Sequence, residues 1–327
     1  MSKKIITKNK EPKVIVLVIN FNQSRVTAKC VNSLLLSTYL NFELLIIDNG
    51  SSKDDYDLLE SNIAELNNTK VSMIRLDTNI GYVCGINKGL DVAKKYDPEY
   101  VLILNNDTEI DESALYNMVA VQKAYQNKAI VSGKVYNFDD KETLQYIGQY
   151  SDPNNGLNCL PVINSRREKD SGQYDYEMEM GMLDDIFWLF PYSLYDDIGG
   201  YSTNFFLYGE QNDFALRAKS VGYKLIYTPN AKIWHMGSIT TADGNSQSIR
   251  IEYWKKIAVL KLAILHLDAK SSSRFVSQWF IKETLKVIFR YFIGKKSWQH
   301  VKCHFLAYSH FKHWRTIRYC DNGYNPF

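Results

Sequence analysis

Val14-Ile15-Val16-Leu17-Val18-Ile19 is an unbroken, mostly β-branched apolar run, and it opens into Asn20-Phe21-Asn22-Gln23-Ser24. Apolar residues without alternation read as a strand buried on both faces, which requires a sheet covered by helices on either side. The chain beyond repeats the theme. Residues 27–36 have helical spacing, Leu44–Ile47 is a second run closing on Asp48, and residues 54–66 read as a helix. Val71–Leu76, residues 81–95 and Tyr100–Leu104 follow as strand, helix and strand. This alternation predicts an α/β fold with a parallel sheet and crossover helices, which binds ligands beyond the carboxyl ends of its strands. Asn20, Asn22, Asp48, Asn79 and Asp107 all fall just after predicted strands, hence on one rim.

After about residue 130 the pattern loosens. Val131–Val135, Leu144–Tyr150 and Leu183–Phe190 read as strands, and Ser151 to Gly172 reads as a polar loop. A short helix over residues 212–220 precedes strands at Lys224–Tyr227 and Lys232–His235. Three basic, aromatic helices are then expected at residues 249–267, 274–293 and 298–317. The expected organisation is an extension at 1–13, a domain at 14–248 split near 130, and a helical extension at 249–327.

Composition bounds the rest. The chain has 327 residues, a net charge of +3, 45% apolar and 23% charged residues, which suits a globular protein and excludes disorder. Five widely spaced Cys with no C-x-x-C argue against a disulfide framework or zinc knuckle and suit a reducing cytosol. The first apolar run is too short for a signal peptide, and no stretch reaches the ~18 apolar residues of a spanning helix. Charge is divided unevenly: residues 251–327 hold 14 Lys+Arg against four Asp+Glu. A basic block of this kind implies an anionic partner. The mixture in Trp279–Phe292 suits an amphipathic helix on an anionic membrane surface, the alternative being packing on the body or on a second copy as a homodimer. Nucleic acid is set aside because no recognition motif accompanies the charge.

Five motifs could carry chemistry. Asn105-Asn106-Asp107 follows a strand, and a carboxylate there can hold Mg²⁺ or Mn²⁺ with substrate phosphates, or simply turn the chain. Asp48-Asn49-Gly50-Ser51-Ser52 offers a carboxylate to a base or ribose, or makes a turn and N-cap. Gly81, Gly85 and Gly89 lie on one helix face, next to the sheet or a ligand; this is neither G-x-G-x-x-G nor a P-loop. Glu210 and Asp213 stand at a helix start, where a carboxylate can be a general base, although Asp213 also makes an i,i+4 pair with Arg217. His235, the sole His among the first 250 residues, could complete a metal site.

Taken in order, VIVLVINFNQS (14–24), ELLIIDNGSS (43–52), NIGYVCGINKGL (79–90), YVLILNNDTEID (100–111) and the stretch FFLYGEQNDFALRAKSVGYKLIYTPNAKIWHMGS (205–238) resemble the family 2 glycosyltransferases of GT-A fold. Within them the resemblance is to the bacterial rhamnosyltransferase-like branch that builds envelope polysaccharides. It implies a metal-dependent, inverting transferase using a UDP- or dTDP-linked sugar and a saccharide or lipid-linked acceptor, in the cytoplasm, peripheral on the inner face of the cell membrane. By the resemblance, Asn20, Phe21, Asn22 and Asp48 would hold the nucleoside. Asn79, Gly81, Gly85 and Asn87 would line the ribose and diphosphate, and Asn105-Asn106-Asp107 is the D-x-D position. Asp107 and His235 would hold Mn²⁺ or Mg²⁺, and the Glu210 region the acceptor and base. Where the family usually has Glu-Asp, this chain has Glu210-Gln211, which leaves Glu210 or Asp213 as base. Two rivals follow: a nucleotide-sugar-binding subunit that assists a partner, favoured by Gln211, and a nucleotidyltransferase, disfavoured because residues 20–24 contain no glycine.

Overall fold

The structure is a computed structural model describing residues 11–152, 157, 159–163, 168–237 and 244–327. Most of the expected 1–13 extension and parts of the predicted 151–172 loop lie outside these residues.

The opening run forms β1 (Val14–Asn20), followed by α1 (Ser24–Leu35), β2 (Phe42–Asp48), α2 (Lys53–Glu65) and β3 (Val71–Arg75). Next come α3 (Gly81–Ala93), β4 (Tyr100–Leu104), β5 (Thr108–Ile110), α4 (Ala114–Ala124) and β6 (Ala129–Asn137). Short strands β7 (Thr143–Tyr146), β8 (Gln149–Ser151), β9 (Cys159–Pro161), β10 (Glu168–Lys169) and β11 (Met178–Glu179) precede β12 (Phe187–Pro191). Then α5 (Tyr192–Ile198), α6 (Glu210–Ser220) and β13 (Lys224–His235) complete the body, and α7 (Gly244–His266), α8 (Ala269–Phe292) and α9 (Trp298–Ile317) form the extension.

The main sheet runs β10-β7-β6-β12-β4-β1-β2-β3, with β13 joined to β5, β6 and β11. β1 is parallel to both β2 and β4, and β2 to β3, as the alternation requires. β12 enters antiparallel beside β4. Along β1, Ile15 and Leu17 point into the core under α3, while Val14, Val16 and Val18 point into the core under α1 and α4. Each such fully buried aliphatic side chain is worth about 1.5–3 kcal/mol. In α1, Thr27, Cys30, Val31 and Leu34 supply the buried stripe at helical spacing. Helix α3 lies close on the sheet because Gly85 and Gly89 leave no Cβ: one at Gly85 would sit 2.9 Å from Ile19 Cδ1.

Several expectations are corrected. Leu144–Tyr150 is two strands, broken at Gly148 with φ 142°. The predicted Leu183–Phe190 strand starts only at Phe187, and the Asp185 carboxylate before it is bonded to the tyrosines described below. The polar 151–172 stretch contains β9 and β10. The two strands read at residues 224–235 are one strand, β13, whose register against β6 shifts between Thr228 and Lys232 and so accommodates Pro229.

The extension packs on the body. Leu260 and Ala263 of α7 meet Val276 of α8 and Phe311 and Trp314 of α9. Lys261, 2% exposed, donates to the Asn204 carbonyl and pairs with Asp321 at 2.7 Å, while Trp314 Nε1 donates to Asn204 Oδ1 at 3.2 Å. Among the described residues no helix is long and apolar enough to cross a membrane.

Candidate active site

The parallel register sets Asn20 beside Asp48. Asn20 Nδ2 donates to Asp48 Oδ2 at 2.8 Å and lies 3.2 Å from both Ser51 Oγ and Asp55 Oδ2; its carbonyl accepts from Thr27 Oγ1 at 2.7 Å. Asp48 Oδ1 accepts from the Ser51 amide. Both side chains are fully enclosed, so the pair locks the loops after β1 and β2 together as a floor. Half-buried Phe21 and exposed Asn22 stand at its edge, with Asn22 at φ 53° and bonded to Ser51 and Ser52. Asp55 and Thr27 belong to this network, although the sequence reading had placed them only in helices.

At the start of α3, Asn79 Oδ1 accepts from the Gly81 amide at 2.8 Å and from Asn49 Nδ2 at 3.1 Å. Gly81 sits at φ 83° with the Phe206 ring against it, a conformation and closeness that exclude a side chain. Asn87 is committed elsewhere: its amide group exchanges two hydrogen bonds, each 2.8 Å, with the Tyr201 backbone. Gly85 packs on Ile19. The structure thus brings Asn79 and Gly81 to the rim and places Gly85 and Asn87 within packing contacts.

The third cluster joins β4, β5 and β13. Pairing of His235 with Thr108 brings His235 Nε2 to 3.2 Å from Asp107 Oδ1, both side chains about nine-tenths buried. Nδ1 lies 2.6 Å from Gln145 Oε1, an atom that only accepts, so Nδ1 carries the proton and Nε2 faces the carboxylate. A carboxylate and an imidazole nitrogen in this relation require a cation or a proton between them. An octahedral ion with ~2.1 Å bonds holds adjacent ligands about 3 Å apart, so the pair fits Mg²⁺ or Mn²⁺. Among the described residues no third His, Cys, Asp or Glu joins them. Asn106 Nδ2 donates to Thr27 Oγ1 and Gln23 Oε1, and the Asn105 amide donates to the Ile186 carbonyl just before β12.

The fourth cluster is acidic and was only half visible in the sequence. Glu210 begins α6, is 3% exposed, and its Oε2 is buried without a hydrogen-bond partner. Burial, then the negative charge of Asp185, pushes its carboxyl well above the usual range. Asp185, also buried, accepts on Oδ2 from Tyr201 at 2.8 Å and Tyr82 at 3.0 Å. Burial and the neighbouring Asp184 raise Asp185 to about 7 despite those bonds. Two carboxyls that cannot both ionise cheaply favour a retained proton, the environment that tunes a general base. Asp185 was missed because its run reads as strand, and its partners lie 16 and 103 residues away. Asp213 is differently employed: Arg217 Nε and His266 Nε2 take its two oxygens at 2.7 and 2.8 Å. Gln211 is half-buried beside Glu210.

The family model of glycosyl transferase family 2 matches residues 15–199. The chain belongs to glycosyl transferase family 2. Among the curated relatives of this family 2 member is Glycosyltransferase GlyG of Streptococcus pneumoniae serotype 4, 25% identical over 39% of this chain and 41% of the relative. Another is Poly-beta-1,6-N-acetyl-D-glucosamine synthase of Staphylococcus epidermidis, 22% identical over 76% of this chain and 58% of the relative. The family 2 chain thus spans about half the length of these curated relatives. In structure it is similar to GalNAc-T7, solved with UDP, GalNAc and Mn2+, at TM-score 0.59 and 14% identity, covering 77% of this chain and 48% of that one. It is also similar to the mannosyltransferase PcManGT of Pyrobaculum calidifontis, in complex with GDP-Man and Mn2+, at TM-score 0.58 and 13% identity, covering 94% and 88%. The family 2 fold is therefore GT-A, with a helical extension after the body.

Proposed function

We propose that this chain is a metal-dependent, inverting glycosyltransferase that moves a sugar from a nucleotide-diphosphate donor, UDP- or dTDP-linked, to a saccharide or lipid-linked saccharide acceptor of a bacterial surface glycan. The observation that carries the reading is the approach of Asp107 Oδ1 to His235 Nε2 at the strand rim. It is supported by the relatives' names and by the two structural neighbours, one solved with UDP, GalNAc and Mn2+ and the other with GDP-Man and Mn2+.

Asp107 and His235 would hold the divalent cation, which when bound neutralises charge developing on the departing diphosphate. The loops over Asn20 and Asp48, with Phe21 and Asn22, take the nucleoside, and the turn at Asn79 and Gly81 lies toward the diphosphate. Glu210 accepts the proton of the acceptor hydroxyl, which attacks the anomeric carbon from the face opposite the diphosphate. A carboxylate with a raised pKa is the stronger base, and Asp185 keeps it so. A lipid-linked acceptor would bring the enzyme to the cytoplasmic face of a bilayer.

The test is a panel of UDP-, dTDP- and GDP-sugars assayed for Mn²⁺-dependent hydrolysis and transfer. Absence of both binding and turnover across the panel would refute the reading. Gln211 favours a second reading, a donor-binding subunit without turnover of its own. Tight donor binding, no turnover, and a gain of transfer in Gln211→Asp would favour it.

A further inference from the structure

The outward stripe of α8 carries four large apolar side chains: Ile281, Leu285, Phe289 and Phe292 are 58%, 65%, 63% and 79% exposed. Steps of four, four and three residues put them on one helix face. The opposite face, with Val276 and Val287, is buried. The helix is thus apolar on two sides, and only one is covered.

Beside the stripe, α7 and α8 enclose a cleft of about 480 Å³ lined by Lys255, Lys256, Lys286, Arg290 and Lys296 over the Trp279 ring, with Glu252 and Glu283 between them. Those two carboxylates are already engaged: Lys256 lies 3.3–3.5 Å from both, Lys286 pairs with Glu283 and Lys296 with Glu252. The cleft keeps a surplus of positive charge. A second recess of about 460 Å³, sharing Lys286, Arg290 and Lys296, continues to Phe289 and Ile293 and joins the cationic cleft to the apolar stripe.

We propose that this face of α8, with the cleft beside it, docks the protein on an anionic lipid bilayer, the apolar stripe entering the headgroup region and lipid phosphates sitting in the cleft. The surface selects its occupant by chemistry. A second copy docked through this face would set the basic row Lys282, Lys286 and Arg290 against another basic row, and like charges across an interface are costly. A nucleic acid would match the charge but leave Leu285, Phe289 and Phe292 in water. An anionic bilayer satisfies both features, its apolar boundary meeting the stripe and its headgroups the flanking cations. The inference is independent of the transferase reading, because lipid docking and turnover are measured separately.

The experiment is flotation of the full chain with phosphatidylcholine vesicles, with and without phosphatidylglycerol, at low and high salt. The native protein is expected to float with the phosphatidylglycerol vesicles and to be released by salt. Leu285→Glu/Phe289→Glu and Lys286→Glu/Arg290→Glu should each lose on the order of tenfold in bound fraction, with melting curves unchanged for the first, whose side chains face solvent, and slightly lowered for the second, which loses the exposed Lys286–Glu283 pair. No flotation of the native protein, equal flotation with neutral vesicles, or undiminished flotation of both variants would each overturn the proposal. So would a native dimer that Leu285→Glu/Phe289→Glu dissociates without any flotation, which assigns the stripe to a second copy.

Discussion

His266 Nε2, at the end of α7, lies 2.8 Å from Oδ1 of Asp213, in the first turn of α6. Arg217 holds the other carboxylate oxygen and, through its remaining nitrogens, the carbonyls of Ile198 and Gly200. Asp213 therefore ties the helical extension to the helix that presents Glu210. Asp213→Asn is expected to cost about 1–3 kcal/mol in urea unfolding, with turnover per folded molecule within a few-fold of native. His266→Ala should cost less, and a double-mutant cycle should show that the two are coupled. Collapse of turnover in a well-folded Asp213→Asn protein would move the role of base to this residue.

Replacement of the proposed base gives the opposite pattern. Glu210→Gln should lower transfer by roughly 10²–10⁴-fold while donor affinity, read by calorimetry, is kept. Its folded state should not suffer, since a neutral amide replaces a carboxyl held in a buried, unfavourable place.

The acidic pair also predicts a pH signature. The folded-state pKa of Asp185, about 7, lies above its ordinary value of 3.8, so the native state binds this proton more tightly than the unfolded chain. The sign is that the stability this proton contributes is lost as pH rises from about 4 to about 7. Asp185→Asn keeps an acceptor for Tyr82 and Tyr201 but cannot ionise. Its stability relative to native should therefore grow across that window, as measured by urea midpoints. Because the charge on Asp185 raises Glu210, the acidic limb of the kcat/KM profile should move to lower pH in the same variant.

At the metal pair, Asp107→Ala and His235→Ala should each abolish the Mn²⁺ dependence of UDP binding, with circular dichroism unchanged. Gln145→Ala, which releases the His235 ring from its support, should weaken Mn²⁺ about 10–100-fold. Metal dependence that survives in Asp107→Ala would refute the assignment.

Much of this was legible in the residues. The unbroken runs at β1, β2 and β4 announce a buried parallel sheet because both faces must be apolar. Asp107 and His235 were legible as strand-end residues, although their approach depends on β13 crossing its bulge in register. Of the acidic pair, only Glu210 was legible. Asp184-Asp185 sit in an otherwise apolar run, and what lets Asp185 be buried comes from Tyr82 and Tyr201, far away along the chain. Packing of the extension on the body was one of the two expectations for it, but which helix faces pack was hidden, since a helix apolar on both sides gives no clear periodicity.

One contact changes how this protein can be dissected. The Phe206 ring lies between Gly81 and Gly323, so close to each that a methyl group on either would overlap it, and it stacks on Trp254 of α7. A ring from the loop before α6 is thus shared by the turn that opens α3 and the segment after α9. Gly209, which precedes Glu210, likewise has Ala258 of α7 against it. The seam between body and extension runs along the wall of the candidate active site. Cutting the chain near residue 250 would remove that wall, and a fragment lacking it would report on an altered site.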